Sequence, residues 1–178
     1  EKMQKRARIV KAYLKPEAEL NEDAKRAIEK ADYILIGPGD LYTSVIPNLL
    51  VNNVPEIIKK SKAKKIFVMN LMTKHGQTTN YSAKDHVEDI EKCLGIGVID
   101  YVLVNSKLPR RDTLSWYEEF EEYPVKDDLE ESKDYEIIRK NLIKDVIVKN
   151  TDHDELRRSI IRHDSEKLAQ EVIKIING

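Results

Sequence analysis

Cysteine is nearly missing from this chain, with Cys93 its sole representative. A lone thiol excludes an internal disulfide framework, cannot build a zinc site, and fits a reducing compartment. Beside Ile90 and Leu94 it reads as a small apolar core residue. An excess of either charge is missing too. Thirty-one basic residues against 32 acidic ones leave a formal charge of -1, which removes any bulk electrostatic case for nucleic acid or an anionic membrane. No apolar run approaches the ~20 residues of a membrane span and no signal peptide is visible, so the expected location is cytoplasmic, without membrane insertion. His75, His86, His153 and His163 fall in no metal-ligand spacing. G-x-S-x-G and G-x-x-x-x-G-K-[ST] are absent, and Gly95-Ile96-Gly97 precedes an apolar run where a dinucleotide fingerprint would follow one. No catalytic set and no metal ligands are expected.

What is present suits one α/β domain over residues 1–178, long enough to bury a core without covalent staples. Charged residues make up 35% of the chain, dominated by Lys and Glu. The chain opens on Glu1 and a mixture of Lys2, Lys5, Arg6 and Arg8 with strand formers, which reads as a start in the middle of a longer protein.

The central stretch is Tyr33-Ile34-Leu35-Ile36-Gly37-Pro38-Gly39-Asp40-Leu41-Tyr42-Thr43-Ser44, an apolar run broken by a glycine turn and then hydroxyl residues. Gly37 and Gly39 permit backbone angles closed to other residues and close approach of a ligand, while Pro38 stiffens the turn. A helix starting at Thr43 or Ser44 would turn its free N–H groups towards the loop and favour a phosphate or carboxylate. An ordinary βα turn is the plainer reading. Before it, residues 6–14 are expected as a strand and Asn21 as the cap of a helix to about Lys30. After it come a short helix entered near Pro47 and a second helix over about 54–61.

Lys65 to Leu71 is an almost unbroken apolar run of the kind buried on both faces of a parallel sheet. A polar loop follows, then Ser82 and Asp85 as a capping box for a helix to Leu94, closed by Gly95 and Gly97. Residues 98–105 repeat the buried-strand pattern, and 113–120 suit a short helix. Residues 126–140 read as a charged surface excursion, 142–148 as a half-buried edge strand, and Asp164 or Ser165 as the cap of a closing helix with Leu168, Val172, Ile175 and Ile176 inward. Strands alternating with helices imply a doubly wound, mostly parallel sheet with helices on both faces. The loops after the strands, Gly37 to Ser44, Asn70 to Thr79 and Asn105 to Asp112, would gather along one edge. His86, in the first turn of its helix, either faces that edge or is simply exposed.

The run Ile36 to Val51, then Asn70-Leu71-Met72-Thr73, then Gly76, Thr78, Tyr81 and Asp85-His86, resembles the YvcK/CofD-like family, specifically its gluconeogenesis-factor (YvcK) branch. The likeness extends from about residue 5 to the closing helix and corresponds to the C-terminal half of a family member. Asp40 stands where the family usually has Ser, Lys74 replaces Gln, Gln77 replaces Glu, and Asn80 replaces Gly. The resemblance implies a Rossmann-like protein that binds a nucleotide sugar such as UDP-N-acetylglucosamine or UDP-glucose. It implies regulation of carbon metabolism, cell-wall synthesis and cell shape. The ligand set implied is Gly37, Pro38, Gly39, Asp40, Leu41, Tyr42, Thr43, Ser44, Asn70, Thr73, Gly76, Thr78 and His86, with Tyr117 and Arg162 matching by position a tyrosine and an arginine associated with the UDP-sugar. Read without the family, Tyr117 is a surface aromatic and Arg162 a charge flanking a helix. The alternative is the related 2-phospho-L-lactate transferase branch, which moves a phospholactyl group from a guanylated donor to a deazaflavin and uses a divalent metal, Mg2+. An uncovered sheet edge leaves a homo-oligomer open.

Overall fold

A computed structural model describes residues 8–144 and 161–178. Within them, β1 (Tyr33–Ile36), β2 (Lys64–Val68), β3 (Tyr101–Asn105) and β4 (Glu136–Lys140) form a parallel sheet in the order β1-β2-β3-β4. The α/β class and parallel sheet expected from the sequence are present, with helices on both faces. The strand order does not reverse among the described strands. The crossovers carry α3 (Val54–Lys60) and α4 (Ala83–Leu94) over the same face, with α1 (Glu22–Lys30) against α3 and the short α2 (Ile46–Leu49) against α4.

The register explains why the central strands read as continuous apolar runs. Ile36 pairs with Phe67, Phe67 with Val102 and Val102 with Ile137, one row facing the α1–α4 layer. Tyr33, Ile66, Leu103 and Ile138 point the other way, where α6 (Ser165–Asn177) covers them with Leu168, Val172 and Ile175. Both faces of β2 are therefore buried, and each large apolar side chain so enclosed contributes about 2 kcal/mol. The predicted capping box of α4 is complete: Ser82 accepts from the Asp85 N–H and Asp85 accepts from the Ser82 N–H. Asp164 caps α6 by accepting from the Glu166 and Lys167 amides.

Three expectations are corrected. Residues 8–14 form no strand, and Val10 lies fully exposed; β-prone side chains do not make a strand where no neighbouring backbone pairs with them. The last strand among the described residues is 136–140, inside the expected charged excursion, because an edge strand needs main-chain pairing to β3 and tolerates exposed charges on its outer side. Arg139 fixes this charged strand through Asp127 at 2.6 and 3.2 Å and the Leu129 carbonyl at 2.7 Å. Residues 142–144, expected to begin a strand, are not one: Leu142 is buried and Ile143 makes a single antiparallel bridge to His163, while 145–148 lie outside the described residues.

Candidate functional site: a cleft at the carboxyl rim of the sheet

Because the strands are parallel, β1 and β2 end at the same rim, where side chains and loop amides of separate segments can meet. At that rim lies a cleft of about 440 Å³. Pro38, Gly39 and Asp40 contribute from the loop after β1, and Asn70 to Lys74 from the loop after β2. Tyr117 of α5 (Arg111–Glu118), Glu122, the segment Ile161-Arg162-His163, and Ser165 and Leu168 of α6 complete the walls. Gly39, Thr73 and Arg162, far apart in sequence, thus line one cavity.

The glycine loop is shaped by close packing. Gly37 has φ +83°, and a Cβ there would stand 3.0 Å from the Val68 carbonyl oxygen; a Cβ on Gly39 would stand 3.0 Å from the Ser44 Cβ. Both positions therefore require glycine for space, and Gly37 for conformation as well. Beyond Asp40 the chain enters a helical turn, Leu41–Val45, with π-type bonding that the sequence does not announce; the expected start at Thr43 or Ser44 comes two to three residues too late. Ser44 and Val45 donate to the Asp40 carbonyl at 2.8 and 3.2 Å.

The turn divides the predicted loop residues by role. Leu41 points into the core, Thr43 and Ser44 are exposed, and Tyr42 faces α4. There the Tyr42 hydroxyl donates to Asp89 Oδ2 at 2.5 Å and stands 3.2 Å from the Tyr81 hydroxyl, while Lys92 holds the other Asp89 oxygen at 2.5 Å. Burial and the bond to Asp89 push the Tyr42 phenol far above its ordinary value, so it stays a donor. Arg8 lies over the Tyr81 ring, 4.8 Å from its centroid, and pairs with Asp85.

His86 is neither at the rim nor exposed. It is 1% exposed, its Nδ1 bonds the Ser82 carbonyl at 2.8 Å, and its ring meets Tyr81 edge-on at 5.5 Å. Burial lowers its pKa, and the bond to Ser82 offsets this only in part. The first helical turn of α4 points inward here because Tyr81 and Val87 belong to the same core.

In the second loop, Thr73 exchanges two bonds with Tyr123, its N–H donating to the carbonyl at 2.7 Å and its Oγ1 accepting from the amide at 2.9 Å. Thr78 is buried and accepts from the Lys74 N–H at 2.8 Å, and the Gly76 N–H donates to Thr79; both shape the loop and neither lines the cleft. Tyr117, expected as a surface aromatic or a stacking ring, is 3% exposed. Its hydroxyl accepts from the Ile161 N–H at 3.0 Å, so it anchors the segment that carries Arg162. The third predicted loop lines a neighbouring cleft of about 440 Å³ with Asn105 to Leu108, which shares only Asn70 and Leu71 with the first.

Among the wall residues outside the expected ligand set are Glu122 and His163. Glu122, which the sequence reading left without a role, is buried and pairs with Lys74 at 3.0 Å. The sequence signal was Lys74 itself, a cation where the family pattern has a neutral residue. His163 gave no signal; burial depresses its pKa despite a bond to the Met69 main chain. Among the described residues no group of three or more His, Cys, Asp or Glu is placed to hold a metal, and no helix is long and apolar enough to cross a membrane.

The pattern of the family described as 2-phospho-L-lactate transferase CofD matches residues 1–143. The chain belongs to the CofD family. Among CofD-family relatives it is similar to the gluconeogenesis factor of Bacillus subtilis, 37% identical over 170 residues that cover 95% of this chain and 51% of the relative. The gluconeogenesis factor of Halalkalibacterium halodurans is 50% identical over 88 residues, covering 49% of this chain and 27% of the relative. A crystal structure of a UPF0052-family protein from Bacillus halodurans superposes with a TM-score of 0.73 at 31% identity, over 87% of this chain and 46% of that one. The chain thus spans about half the length of the Bacillus subtilis relative.

Proposed function

We propose that this chain forms one side of a nucleotide-sugar site, for UDP-N-acetylglucosamine or UDP-glucose, in a cytoplasmic regulator of the gluconeogenesis-factor type linked to carbon metabolism, cell-wall synthesis and cell shape. The observation that carries the reading is the cleft in which Pro38, Gly39, Asn70, Thr73 and Arg162 meet at the carboxyl rim of a parallel sheet. Arg162 offers a planar fork for a diphosphate, and Asn70 offers both a donor and an acceptor. Replacing Arg162 with Ala is expected to weaken UDP-sugar binding by about tenfold or more, because a charge-assisted phosphate contact is lost. Calorimetry on the complete polypeptide checks this; no heat from any UDP-sugar with folded wild-type protein would end the reading.

A second reading has one observation in its favour: the matched family carries the name of the 2-phospho-L-lactate transferase. It requires a divalent metal, a guanylated phospholactyl donor and a deazaflavin acceptor. Formation of a phosphorylated deazaflavin by the complete polypeptide would place it first.

A further inference from the structure

Asp40 begins a helical turn without capping it. An aspartate in that position ordinarily accepts from the amide of the second or third helical residue, here Tyr42 or Thr43. Here the side chain makes no cap bond, while the Asp40 main-chain carbonyl accepts from the Ser44 and Val45 amides of the turn. Asp40, half-buried, lines the rim cleft beside Gly39. The other acid of the cleft, Glu122, is matched by Lys74 at 3.0 Å, whereas no ion pair involves Asp40 among the described residues.

An uncompensated carboxylate beside the glycine loop is a poor place for phosphate. Two like charges about 4 Å apart near a protein surface repel strongly enough to cost on the order of a thousandfold in affinity. A carboxylate offers two acceptor oxygens and no donor, which matches a pair of neighbouring hydroxyls. We infer that Asp40 sets the direction of the ligand: sugar hydroxyls donate to Asp40 at the glycine loop, and the diphosphate lies at the part of the cleft lined by Arg162. This rests on the nucleotide-sugar reading of the cleft and makes Asp40 a specificity-determining residue. It also reverses the expectation that the glycine loop cradles phosphate.

Calorimetry on the complete polypeptide and its Asp40→Asn and Asp40→Ser variants tests this, with UDP-N-acetylglucosamine, UDP and inorganic pyrophosphate as probes, each with Mg2+ and with a chelator. Circular dichroism checks that the variants fold. Both variants should bind UDP-N-acetylglucosamine about tenfold or more weakly, with pyrophosphate binding within about threefold of wild type. A parallel loss with UDP assigns the hydroxyls to the ribose, and a loss confined to the UDP-sugar assigns them to the hexose. Tighter binding of pyrophosphate and UDP-sugar by the variants would mean that Asp40 faces phosphate, and unchanged affinity that it faces nothing; either overturns the inference. So does wild-type binding that needs Mg2+ and disappears with Asp40→Asn, which would make the carboxylate a cation ligand. Wild-type protein that is folded but binds none of the probes removes the nucleotide-sugar reading itself, a failure separate from the direction of the ligand.

Discussion

Single residues in this protein owe their roles to what surrounds them. Two imidazoles illustrate this: His86 and His163 are both held below the ordinary value of 6.5, first by burial, with bonds to Ser82 and Met69 opposing. Asp85 and Asp89 pull His86 upward without overcoming burial. With folded-state pKa values lower than the unfolded value, the unfolded chain binds more protons below about pH 6.5. The stability these residues contribute is therefore complete above that pH and is lost as pH falls through the folded values. Urea unfolding at pH 7.5 and 5.5 is expected to show this loss, and His86→Gln should flatten part of it. The sequence reading put His86 at the ligand edge or in solvent and gave His163 no place, since an isolated imidazole has the same pattern buried or exposed.

Among the elements, α4 was fully legible because its signals are local: Ser82 and Asp85 at capping-box spacing and Gly95 at its end. The π-turn after Asp40 was not, since nothing in Leu41 to Val45 distinguishes it from an α-helical start. Its geometry is held from outside by the Tyr42 hydroxyl on Asp89, whose carboxylate is mostly buried. Tyr42→Phe removes that bond and is expected to cost about 1–2 kcal/mol of stability in urea unfolding. Hydrogen exchange at the Ser44 and Val45 amides should quicken with it, because their acceptor, the Asp40 carbonyl, belongs to the same turn. Strand β4 was misread for a related reason: Glu136 to Lys140 carries an edge-strand surface, and only pairing with β3 distinguishes that from a solvated loop.

At the scale of the whole molecule, the cleft depends on a contact that joins residues 44 positions apart, Tyr117 to Ile161. Tyr117→Phe keeps the buried ring but leaves the Ile161 amide without this acceptor, at an expected cost of about 1–3 kcal/mol. If the segment positions Arg162 for ligand, the same change weakens UDP-sugar binding in wild type and adds little once Arg162 is Ala. A double-mutant cycle by calorimetry measures that coupling; full additivity would make Tyr117 purely structural.

The sequence alone determined the α/β class, the parallel strands, the helix caps and the family, because apolar periodicity, cap spacing and a long motif are written in neighbouring residues. Tertiary structure decided which of those residues share a surface. It turned Tyr42 and His86 towards α4, gave Lys74 a buried partner in Glu122, and carried Arg162 to the loop of Gly39, since such meetings depend on strand order and crossover handedness and leave no trace in local pattern.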